Sequence, residues 1–184
     1  MIAACLLAVS ILSASSSTVD AQPTSSAAIK AAFLLNFAKF VEWPNGGGTP
    51  ERAFSIGVLG DDVMAFAMRD LSRGKTAAGR RLNARRVTTK DALDDLHILF
   101  VGAAEEPRLA EVLKLANAGS VLTVSDLTRF CELGGMIQFR SEDDRVRFDI
   151  NLEQAERSAL IIDSKLLAIA RSVLHPPKPS GVPR

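Results

Sequence analysis

The residues with side chains reactive enough to do chemistry are few in this 184-residue chain: two histidines, two cysteines and one Ser–Lys neighbour pair. His97 opens an apolar run and His175 lies in a proline-rich tail, so the two are not expected to converge. A catalytic triad needs an imidazole fixed by a fold element, and a zinc site needs several nitrogen or sulfur ligands. The sequence supplies neither set. Cys131, between Leu127 and Leu133, reads as a small buried apolar side chain rather than a redox sensor or an intermolecular bridge. Ser164-Lys165 suggests a serine–lysine dyad, but neighbours on a helix diverge by about 100° and cannot share a proton.

The carboxylates are equally unpromising. Asp61-Asp62, Asp94-Asp95 and Glu105-Glu106 are adjacent pairs at predicted helix ends, where neighbouring side chains point apart. Glu142-Asp143-Asp144 lacks the glycine and the spaced ligands of a calcium loop and reads as a solvated hairpin tip. Gly57-Val-Leu-Gly60 carries two glycines of a phosphate-binding turn but not the fuller fingerprint, and Asp61-Asp62 behind it would repel phosphate. No catalytic residue, metal or cofactor is expected, and the chain is not expected to be an enzyme.

The elements that would position any site begin with the N-terminus. Ile2 to Leu12 is almost wholly apolar, and small residues lead to Val19-Asp20-Ala21. The pattern predicts a signal peptide over 1–21, cleaved after Ala21, although it lacks the usual basic start. Cleavage would remove Cys5 and Asp20, leaving the 22 Lys and Arg against 20 carboxylates. So small an excess predicts no nucleic-acid footprint. One remaining thiol allows no internal disulfide, so the core must hold the fold.

A single domain is predicted over 22–174, with a disordered proline-rich tail over 175–184. A helix is expected from Ser26 to Glu42, stopped by Trp43-Pro44, with Ile29, Phe33, Phe37 and Phe40 along an apolar stripe. A flexible loop, Asn45 to Pro50, follows. Strands are expected at Phe54–Gly60, Leu82–Thr88, His97–Val101 and Ser120–Val124. Between them helices are expected at Asp62–Ser72, Lys90–Leu96, Pro107–Gly119 and Asp126–Gly134. Apolar strands alternating with helices predict an α/β fold with a mostly parallel sheet between helical layers. Met136–Arg140 and Arg145–Leu152 predict an antiparallel hairpin at the sheet edge, with Arg145, Arg147, Asp149 and Asn151 on its wet face. Asn151 and Asp163 should each cap a helix, the last with Leu166, Leu167, Ile169, Ala170 and Val173 buried.

The aromatic cluster Phe37, Phe40 and Trp43 reads first as core and helix stop, and second as an apolar docking surface for a partner. The run Lys30 to Pro44 that contains it resembles the YfiR-like periplasmic proteins (YfiR/DUF4154 family). So do Phe54 to Asp61, His97 to Ala104, Val121 to Asp126, Gly134 to Phe139, Arg145 to Leu152 and Ser164 to Leu167, in the same order. The resemblance implies a Rossmann-like sandwich without catalytic residues, in a periplasmic protein. It also implies a role in holding an inner-membrane diguanylate cyclase inactive by binding its periplasmic region, until an OmpA-like outer-membrane lipoprotein releases that control. Cyclic di-GMP and biofilm formation would then rise. A homodimer is a further expectation. The alternative is a periplasmic small-ligand sensor, with its ligand near Gly60, Gly102 and Ser125.

Overall fold

The first helix, α1 (Gln22–Phe40), lays a stripe of mostly small residues against the sheet: Ala27, Ala31, Leu34, Phe37, Ala38 and, one residue past its end, Val41 are all buried. The computed structural model describes residues 22–44 and 52–175. The expected signal peptide, the loop after Asn45 and the tail beyond His175 lie outside the described residues. The aromatic stripe is shifted from expectation: Ile29 faces solvent, because alanines let the helix backbone approach the sheet closely. The helix also ends two residues early. Val41 and Glu42 form a short strand, β1, paired with β9 (Ile161–Ile162), and the Phe40 carbonyl accepts from Asp163 N–H at 2.8 Å.

The main sheet follows as predicted through its centre. β2 (Phe54–Leu59) leads to α2 (Asp62–Ser72), whose N-cap is Asp61, accepting from Met64 N–H at 2.8 Å. β3 (Thr76–Ala77) and β4 (Arg80–Val87) form a tight hairpin, and β5 (Ile98–Val101) lies on the other side of β2. A 3-10 turn (Ala103–Arg108) contains Pro107 and runs into α3 (Leu109–Ala118). β6 (Leu122–Ser125), β7 (Ile137–Glu142), β8 (Arg145–Asn151), α4 (Leu152–Arg157), α5 (Ser164–Ile169) and β10 (Ser172–Leu174) complete the chain. The eight strands lie in the order β10-β8-β7-β6-β5-β2-β4-β3, and β7, β6, β5, β2 and β4 are mutually parallel. The fold is a mostly parallel α/β sandwich. α1 and α2 cover one face, and α3 with the loops around Leu96 and Phe130 covers the other.

Four expectations change. Lys90–Leu96 is a series of turns, not a helix: Asp91 carboxylate takes the Thr88 N–H and hydroxyl at 2.6 and 2.8 Å, a local bond that competes with helix formation. Asp126–Gly134 is also turns. There Arg129 adopts a positive φ of 61°, and side chains of Gln138 and Asn151 bond the backbone of Cys131 in place of a helical ladder. The hairpin is not the sheet edge, because β10 pairs with β8 and forms the edge itself. For the same reason Asp149 is covered rather than wet. Finally, α5 stops at Ile169, which is 60% exposed, and Ala170 turns extended. Arg171 is drawn instead to Asp149 at 3.2 Å and Glu142 at 2.6 Å, which aligns β10 beside β8.

The hairpin turn itself is as polar as expected. Asp143 and Asp144 both take positive φ, 48° and 57°, the twist that suits a two-residue connection between antiparallel strands.

Candidate functional site

The three aromatic residues predicted as a docking surface are not brought together. Phe37 is 1% exposed and stacks on Phe139 at 5.9 Å, with Phe148 edge-on at 5.3 Å. It is a core residue tying α1 to the β7–β8 hairpin, and its ring is closed to any partner in this conformation. Phe40 is half-buried near the β1–β9 pair. Trp43 is half-buried, edge-on to Phe54 at 5.2 Å, and its indole N–H donates to the His97 carbonyl at 3.1 Å. Of the three, Phe40 and Trp43 remain partly exposed.

His97 is at the start of β5 as expected, buried and stacked on Phe54 at 4.4 Å. Its Nδ1 accepts the Ser55 N–H at 3.1 Å, so the ring joins two strand ends. Beside it lies an opening of about 150 Å³ lined by Trp43, Arg52, Asp95 and Ser120. Ser164 and Lys165 are exposed neighbours on α5, and the Lys165 N–H is occupied by the capping Asp163 carboxylate at 2.7 Å. His97 and Ser164 thus both have structural places.

The most informative region is the carboxyl end of the sheet. β2 is followed by β4 on one side and β5 on the other, and sheets of this kind hold ligands in the crevice where strand order reverses. In this chain its own residues take up part of that crevice. Gly102 N–H donates to the Leu59 carbonyl at 2.7 Å, and a Cβ at Gly102 would lie 2.5 Å from the Gly60 carbonyl oxygen. Gly60 has φ +72°, and a Cβ there would lie 2.7 Å from Glu105 Cγ. Glu105 is 7% exposed, and its carboxylate is held by Arg108 at 2.9 Å. A short way along, the Ser125 hydroxyl donates to Val101 O at 2.6 Å and accepts from Leu127 N–H at 3.0 Å. Of the positions expected to contact a small ligand, Gly60 and Gly102 touch each other, while Ser125 is bonded to Val101 and Leu127.

An opening of about 320 Å³ remains at this end of the sheet, lined by Gly60 and Glu105 as well as Arg86, Thr88, Thr89 and Arg108. Its two arginines are committed, to Asp62 and Glu105, each at 2.9 Å. Sequence reasoning marked Gly60 and Gly102 but missed Glu105. The available signal was the Glu-Glu-Pro run just after Gly102, which begins a tight turn directly over the crevice. It also missed the buried Asp149, which accepts from Arg140 at 2.9 Å as well as from Arg171.

Cys131 is 3% exposed, with its sulfur 3.7 Å from the carbonyl oxygens of Met136 and Asp149. Burial, with the Asp149 charge next in size, pushes its thiol up to about 12 from 9.0. The folded state therefore favours the neutral thiol. The unfolded chain gives up that proton near pH 9, so this contribution to stability is complete below pH 9 and declines between about 9 and 12. The native protein should resist an aromatic disulfide reagent at pH 8 and react once unfolded. Urea midpoints should fall less steeply with alkaline pH in Cys131→Ala than in the parent. Rapid native labelling would contradict the burial.

These features define a Rossmann-like α/β sandwich whose usual ligand crevice is narrowed by its own residues. The chain belongs to the YfiR/HmsC-like family (DUF4154), whose pattern it matches over residues 27–171. That family is generally one of periplasmic regulatory proteins rather than catalysts. Among the described residues no helix is long and apolar enough to cross a membrane. Among solved structures, the chain is similar to a conserved domain protein from Vibrio cholerae O1 biovar El Tor strain N16961, with 15% identity and a TM-score of 0.48. The match covers 65% of this chain and 54% of that one, so the chain spans about half the length of that structure.

Proposed function

We propose that this protein is a non-catalytic periplasmic regulator that holds an inner-membrane diguanylate cyclase inactive by binding its periplasmic region. The observation that carries the reading is membership of the YfiR/HmsC-like family over nearly the whole described domain. The narrowed crevice is consistent with it, since Glu105 and the Gly60–Gly102 contact take up part of the place where an enzyme of this architecture would hold a nucleotide. In this reading the leader over 1–21 exports the chain, and Phe40 and Trp43 contribute to the contact with the cyclase. An OmpA-like outer-membrane lipoprotein relieves the inhibition by binding the regulator in competition. Control of this kind needs only unequal affinity for the active and inactive partner states.

The test is genetic and biochemical together. Deleting the gene should raise cellular cyclic di-GMP several-fold and thicken biofilm, and the tagged protein should capture a membrane cyclase from detergent extracts. Unchanged cyclic di-GMP with no cyclase captured would refute the reading.

A further inference from the structure

The near-balanced total charge conceals a strongly basic sheet edge. β4 is eight residues long, yet β3 covers only Arg80 and Arg81 on its outer side. Leu82 N–H still reaches the Lys75 carbonyl at 3.0 Å. Beyond it, no described strand lies against the outer edge of β4. Backbone groups alternate in direction along a strand, so those of Ala84 and Arg86 point outward as Leu82 does. An open row of this kind is a template for adding a strand from another chain.

A groove of about 570 Å³ runs along the first part of this edge, between β4 and the end of α2. Arg69, Arg73, Lys75 and Arg81 line it, and no carboxylate does. Arg73 pairs with Asp70 at 3.4 Å, whereas Arg69, Lys75 and Arg81 make no ion pair among the described residues. Three uncompensated cations beside an open edge constrain the occupant. A second copy of the same edge would set like charges face to face, which disfavours self-pairing. An anionic bilayer could neutralise the cations but would leave the outward amides and carbonyls of β4 unpaired. An extended acidic segment satisfies both, through ladder hydrogen bonds and charge.

We propose that the open edge of β4, with Arg69, Lys75 and Arg81, is a docking site for an extended acidic segment of a partner protein. The proposal does not depend on which protein the partner is, and it stands whether or not the cyclase reading holds. The probe is a fluorescein-labelled nine-residue peptide of alternating valine and glutamate, titrated into the protein lacking residues 1–21 at low and moderate salt. Binding should be measurable by anisotropy, weaken with salt, and fall at least tenfold in the double variant Lys75→Glu, Arg81→Glu. Amide exchange at Ala84 and Arg86 should slow in the complex. Ala84→Pro, which removes one outward donor and keeps every cation, should also weaken binding. Where circular dichroism shows that this variant misfolds, the charge variant and the exchange data decide. No binding at millimolar peptide, binding indifferent to the charge reversal, or no protection at Ala84 and Arg86 would overturn the proposal. So would dimerisation through this edge, or binding to phosphatidylglycerol vesicles by a protein that ignores the peptide.

Discussion

Replacing Phe37 with alanine should lower the unfolding free energy by about 3–5 kcal/mol, the cost of a large cavity in a packed core. The ring is fully enclosed, and its removal leaves Phe33, Phe139 and Phe148 without the neighbour around which they pack. Little relaxation is available to close the gap, because Phe139 and Phe148 are fixed by cross-strand pairing in the hairpin. Urea titration followed by circular dichroism measures the loss. Phe40→Ala should cost far less, since that ring is already half in water. The pair also separates two roles. A variant at Phe37 should lose partner binding only in proportion to its unfolded fraction, whereas one at Phe40 should lose binding while remaining folded. Equal stability losses at the two positions would contradict the packing described above.

Gly102→Ala should also be strongly damaging, at about 3 kcal/mol, near the upper end for overpacking. The added methyl would overlap the Gly60 carbonyl and Asp61 Cβ, at 2.5 and 2.6 Å. Neither is the movable tip of a long side chain: one is backbone and the other is anchored by the cap of α2. Either the β2–α2 turn or the β5 turn must move, and both carry residues that narrow the crevice. A thermal melt should show the loss directly. Should the variant remain folded with its melting temperature unchanged, the two turns are not in the contact described.

Much of this architecture can be read from the residues themselves. Apolar runs such as Ile98 to Val101 announce buried parallel strands, and Asp61, Asn151 and Asp163 announce the helices that they cap. The misplaced elements share one cause. Lys90–Leu96 and Asp126–Gly134 have helix-compatible spacing, but side chains distant or local claim their backbone groups first. The segment after Asp163 has helical periodicity through Val173, yet the ion pairs of Arg171 with Glu142 and Asp149 commit its end to a strand. The Thr88–Asp91 turn is local and could be read in the sequence, whereas the Asn151 and Arg171 contacts join residues twenty or more apart, which no short window contains. The candidate site was legible only in outline for the same reason. Phe37 and Trp43 are six residues apart in sequence, but one belongs to the hairpin core and the other to the strand ends around His97. The basic groove is invisible to a net-charge count, which does not show that no carboxylate lines it.

The seating of α1 has a consequence for when folding can finish. Its central ring packs on Phe139 and Phe148, and the strand after it pairs with Ile161 and Ile162, all roughly a hundred or more residues later in the chain. The part of its seat formed by the β7–β8 hairpin and β9 is therefore missing until the last third has been made, although α2 is available to it earlier. A high contact order of this kind delays collapse to the native state. Under the export proposed above, late completion of this seat would keep the chain threadable through a translocation pore, because the helix next to the proposed leader is sealed in only by the last strands.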